Sequence, residues 1–173
     1  DKHGNAAVVA EAATVSQKSW VNVTVTAATA SAAGEVVATF RVTDSASRPV
    51  VTLGAVSATI SKLLPAPTGE VASRWQSYLY TVQTVATAGE WPAAVGTWAY
   101  QATRENNGTL TNNGDGTYTY RFAKNLASAA FPDGGAAISY DRNRLHRVSI
   151  MLGGATGPTG SGEFDFVPDG SAA

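Results

Sequence analysis

Leu110-Thr-Asn-Asn-Gly-Asp-Gly-Thr-Tyr-Thr-Tyr-Arg-Phe122 is the stretch that decides the fold. It contains Asn112-Asn113-Gly114-Asp115-Gly116, residue types that reach positive φ at low cost and so reverse a chain tightly. Beyond them Tyr118, Tyr120 and Phe122 stand at every other position. That two-residue period puts large apolar groups on one face of an extended chain. A turn of this chemistry ahead of an alternating strand predicts a β-hairpin.

The same period recurs on both sides. Val21, Val23, Val25 and Ala27 alternate with Asn22, Thr24 and Thr26, until the small residues of 29–34 interrupt. Residues 37–44 place Ala38, Phe40 and Val42 on one face, and Ser45-Ala46-Ser47-Arg48-Pro49 turns the chain. Residues 57–64 are β-rich and stop at Pro65. Residues 75–82 carry Tyr78, Tyr80 and Val82 in phase, and 97–103 carry Trp98, Tyr100 and Ala102. Residues 124–140 are less regular and include Pro132-Asp133-Gly134-Gly135. Residues 145–152 set His146, Val148, Ile150 and Leu152 on one face. Residues 153–162 read as a loop, and Phe164 and Phe166 flank Asp165 in a last short strand closed by Pro168.

No segment carries a helical stripe, which disfavours a parallel α/β fold because its crossover helices are missing. The expectation is an all-β protein, an antiparallel Greek-key sandwich or split barrel. Residues 1–20 are expected to form an arm or edge strand, 21–170 a single domain, and 171–173 a tail.

Composition narrows the chemistry. Of 173 residues, 44% are hydrophobic and 14% charged, with 12 Lys+Arg against 13 Asp+Glu. Such a balance offers no basic stripe for nucleic acid and no polybasic membrane patch. No apolar run approaches the roughly 18 residues of a membrane-spanning helix. A basic-plus-apolar start is absent, so no signal peptide is expected in the chain. The absence of cysteine excludes disulfides, thiolate metal sites, iron–sulfur clusters, thiol nucleophiles and covalent haem, which needs C-x-x-C-H. His3 and His146 are the two histidines, too few for a three-His metal site.

The candidate sites each have a plain structural reading. Asn113, Asp115 and Gly116 faintly resemble a calcium loop but lack its closing Glu and flanking helices, so a turn is expected. His146 shares a face with apolar residues, the setting of a structural histidine. Its functional alternative is contact with a neighbouring domain or cofactor. Arg142, Arg144 and Arg147 are either a solvated cluster or an anchor for carboxylates of a neighbouring domain or haem propionates. Glu35, Asp44, Glu70, Glu90, Glu105 and Asp165 show no spacing suited to acid–base work. Trp75, Tyr78, Tyr80, Trp91, Trp98 and Tyr100 read as core and cross-strand pairs, or as an exposed platform for sugar.

Four segments, taken in order, resemble one family. They are Val51-Thr-Leu53 with Ala58-Thr-Ile-Ser-Lys-Leu-Leu-Pro65; Arg74-Trp-Gln-Ser-Tyr-Leu-Tyr80; Gly108 through the hairpin to Phe122; and Leu145-His-Arg-Val148 followed by Phe164-Asp-Phe-Val-Pro-Asp-Gly170. Together they are similar to the N-terminal β-domain of the outer-membrane decaheme c-type cytochromes of metal-reducing bacteria, the OmcA/MtrC family. The resemblance covers residues 36–170.

In that family the Phe-Val-Pro-Asp-Gly end precedes the first haem-binding segments. The resemblance therefore implies a haem-free domain whose parent carries haem c beyond residue 173. It also implies a cell-surface location at the outer membrane, electron transfer by the parent to extracellular acceptors such as metal oxides, and a non-catalytic structural or docking role. The implied partners are haem-bearing domains of the same polypeptide, and possible further ones are other outer-membrane cytochromes or a porin complex. His146, Arg147, Phe166 and Pro168 are the expected domain-interface residues, since the chain leaves through their strands. An immunoglobulin-like adhesin and a carbohydrate-binding module are the competing expectations.

Overall fold

The computed structural model describes residues 20–69, 71–84, 98–153 and 158–171. The expected arm at 1–20 falls outside these except for Trp20, as do His3, Glu70, Glu90, Trp91 and the end of the tail. The described residues form strands and no helix, in three antiparallel sheets. The first sheet orders β1 (Asn22–Ala30), β2 (Val36–Thr43), β8 (Thr117–Arg121) and β7 (Thr109–Asn112) as β1-β2-β8-β7. The second holds β3 (Ser57–Leu64), β4 (Arg74–Ser77), β9 (His146–Leu152) and β10 (Gly160–Phe166), ordered β10-β9-β3-β4. A separate ribbon pairs β5 (Tyr80–Thr84) with β6 (Trp98–Ala102).

The deciding hairpin forms as its residues dictate. Asn112 pairs with Tyr118 at the turn. Gly114 and Gly116 take φ of 86° and 85°, and the Asp115 carboxylate accepts bonds from the Thr117 amide and hydroxyl at 2.9 and 2.6 Å. Gly116 is doubly constrained, because a Cβ there would also stand 2.6 Å from the Pro49 side chain.

Alternation builds the core. Val23, Val25, Ala38, Phe40, Val42, Tyr118 and Tyr120 face inward from the first sheet. Ala58, Ile60, Val148, Ile150, Leu152 and Phe166 face them from the second. Val50, Leu126 and Ile138 join this cluster from connecting segments.

Three local expectations are corrected. Ala27 points out rather than in, because the β1–β2 register slips between Val25 and Ala27 and hands the inward positions to Ala28 and Ala30. The single strand expected at 75–82 is two, since the chain leaves the second sheet after Ser77. The Ser77 hydroxyl bridges the gap by donating to the Leu79 carbonyl at 2.9 Å and accepting from the Leu79 amide at 3.0 Å. Residues 160–162, expected in a loop, belong to β10. Their glycines are there because β1 lies against them: a Cβ on Gly160 or Gly162 would sit 2.4 Å from the carbonyl oxygen of Val21 or Val23.

That contact joins the two large sheets along one edge. The Val21 amide donates to the Thr159 carbonyl at 3.0 Å, and Trp20 bridges Thr159 in parallel. The opposite edges, β4 and β7, are not paired with each other. The result is an antiparallel sandwich seamed on one side, with no closed barrel.

Candidate docking face and its buried polar support

The second sheet carries the residues of interest, and pairing register assigns each to a face. Asp165, Arg147, Ser61 and Ser77 lie opposite one another across β10, β9, β3 and β4, on the outer face. Phe166, His146, Lys62 and Gln76 form the next row, on the opposite side.

On the outer face Arg147 is clamped. Its Nε and Nη2 donate to the two carboxylate oxygens of Asp165 at 2.7 and 2.8 Å, and Nη1 lies 3.2 Å from Glu163. The bidentate fork fixes the guanidinium plane. Its carbon sits 4.7 Å from the centre of the Trp75 ring, so a pinned cation backs an indole that stays 40% exposed.

On the inner face the polar row is sealed. His146 is fully buried, with Nδ1 2.8 Å from the Arg144 carbonyl and Nε2 2.9 Å from the Tyr78 hydroxyl. A carbonyl only accepts, so Nδ1 carries the proton, and in the neutral ring Tyr78 donates to Nε2. Burial holds the imidazole below its ordinary 6.5, and it raises the Tyr78 phenol. Phe166 and Tyr140 close the ring in at 5.8 and 5.9 Å between centroids.

Lys62 lies beside this pair at 1% exposure. Its ammonium donates to the Ser139 carbonyl, the Ser139 hydroxyl and Asp141 at 2.5, 2.6 and 2.7 Å, so all three protons are used. Hydrogen bonding to Lys62 in turn lowers the Asp141 carboxyl below its ordinary range. Every donor is matched, as a buried charge requires. The network ties β3 and β9 to the irregular segment around 139–141, and it gives that segment its place.

The four residues expected at a domain interface therefore do not share a face. His146 and Phe166 are buried inside. Arg147 presents an outer surface with Glu163 and Asp165. Pro168 keeps partial exposure in the turn after β10, next to Asp169, whose amide bonds the Arg142 carbonyl. Arg144 reaches Asp141 at 3.5 Å rather than joining Arg147. The expected turn at 112–116 uses its Asp115 carboxylate internally, and no group of three or more acidic or histidine side chains among the described residues could hold a metal.

Of the aromatics, Tyr78 is core, Tyr80 and Tyr100 flank Phe131 at 4.6 and 4.7 Å, and Trp75 is exposed. The Trp98 side chain lies outside the described residues. Glu105 has a structural task unforeseen from sequence. It is buried and accepts from Tyr120 at 3.2 Å and from the amides of Ala123 and Lys124 at 2.8 and 3.0 Å. Burial pushes the Tyr120 hydroxyl up to about 12.

Lys62 was readable, since it falls in phase with Ala58 and Ile60, where a charge is out of place. Glu105 left no such signal, because its role depends on how the 120–124 segment folds back over it.

No protein-family model matches the sequence, and no curated protein matches it. Among solved structures, the outer membrane decaheme cytochrome OmcA shares 21% identity and a TM-score of 0.70, covering 91% of this chain and 24% of its own. MtrC from Shewanella baltica OS185 shares 23% identity and a TM-score of 0.62, covering 88% of this chain and 23% of its own. This chain thus spans about a quarter of the length of either, and its all-β sandwich is the fold of a segment found in both.

Proposed function

We propose that the chain is a non-catalytic structural and docking domain of an extracellular multihaem c-type cytochrome, whose parent passes electrons to external acceptors such as metal oxides. The observation that carries this reading is the near-complete coverage of the chain by a quarter of OmcA, joined to a sequence without cysteine. A polypeptide of this kind cannot bind haem c here and leaves that work to its neighbours in the parent.

The docking strip runs along β9 and β10. Arg147, Glu163 and Asp165 supply its fixed charges and Pro168 its exit. His146 and Phe166 brace it from within. The rigid sandwich sets the spacing of the haem-bearing part and shields one side of it from water. Other outer-membrane cytochromes or a porin complex are the further partners of the parent at the cell surface.

The test is the natural polypeptide that contains this segment, purified from the cell envelope. It should give a pyridine haemochrome spectrum of covalent haem, and cross-linking should join the β9–β10 strip to haem-bearing peptides. A native polypeptide without haem would refute the reading.

A further inference from the structure

Between β3–β4 and the β5–β6 ribbon lies an open cleft of about 630 Å³, lined among others by Ser61, Trp75, Tyr80, Gln101, Thr103 and Arg104. Its size falls within the roughly 300–1,000 Å³ of small-molecule sites. The cleft lies on the β3–β4 side of the sheet and meets the β9–β10 strip through the Arg147–Trp75 contact.

The walls are specific in kind. Trp75 is exposed yet immobilised, because Arg147 stacks on it and Asp165 fixes Arg147. A preset ring loses little freedom when a ligand lies against it. Hydroxyl and amide groups line the rest of the cleft. The side chains of Gln101 and Arg104 have no hydrogen-bond or ion-pair partner among the described residues. Arg104 is the one charged group among the cleft's described lining residues, and no carboxylate is among them.

A flat apolar ring wants a ligand with an apolar face, and the hydroxyl and amide set wants a ligand rimmed with hydroxyls. A pyranose has both. A guanidinium with no partner among the described residues adds a preference for a carboxylate. We infer that the cleft binds an acidic saccharide, with a sugar face on Trp75 and its carboxylate on Arg104.

Calorimetric titration of the 173-residue chain with trigalacturonate, neutral maltotriose and 2-naphthoate tests it, with circular dichroism to confirm that each variant folds. Trigalacturonate should bind about tenfold more tightly than maltotriose, and Trp75→Ala should weaken both by about tenfold or more. Arg104→Gln should erase the preference for the acid while keeping the neutral sugar. No binding of trigalacturonate, binding indifferent to both substitutions, or tighter binding of naphthoate would each overturn the inference.

Discussion

Removing either partner of the Lys62–Asp141 pair should not cost the same. Asp141→Asn leaves an ammonium at 1% exposure with no counter-ion, its partners reduced to Ser139 and a neutral amide oxygen. A buried charge stripped of its counter-ion costs about 3–5 kcal/mol. Lys62→Met removes the charge itself and replaces the stem with an apolar chain of similar length. The Asp141 side chain, 32% exposed, then turns to water, so the loss is about 1–2 kcal/mol for the missing hydrogen bonds. The double variant should recover most of the Asp141→Asn loss, since no charge remains to be desolvated. Urea unfolding followed by circular dichroism measures all three against the native chain. Equal losses, or a larger loss for Lys62→Met, would refute the view that desolvation of Lys62 dominates this network.

Gly162→Val should destabilise the fold by about 2–3 kcal/mol in the same assay, since the new side chain would strike the β1 backbone at Val23. The pH dependence follows from His146, whose folded value is depressed by burial. The unfolded chain then binds the extra proton, so the contribution is complete above about pH 6.5 and declines as pH falls toward the folded value. Its slope is at most about 1.4 kcal/mol per pH unit. Unfolding between pH 5 and 7 should lose this slope in His146→Gln. Arg147→Ala should cost about 1 kcal/mol or less despite its ideal geometry, because both sides of the pair with Asp165 are about a third exposed.

Much of the fold was legible because it rests on a local rule. Tyr118 and Tyr120, Val148 and Ile150, and Phe40 and Val42 announce their face by period alone, and all are buried. What escaped depends on contacts between distant segments. The inward turn of Ala28 needs a slipped register with β2, and Gly160 reads as loop until the β1 backbone is laid against it. The break after Ser77 is hidden because Tyr78 and Tyr80 keep their period across it. The candidate docking residues show the same division. Alternation put His146 with the apolar residues and Arg147 on the other side, whereas the clamp by Asp165 and the stacking on Trp75 require β4, β9 and β10 to be in register.

The structure of the intact parent, solved with this segment in place, tests the central claim most directly. The account predicts covalent haem in the remainder of the polypeptide, with the β9–β10 strip and Pro168 packed against the haem-bearing part. A parent in which Arg147, Glu163 and Pro168 all face open solvent, or in which no haem is bound, would contradict it.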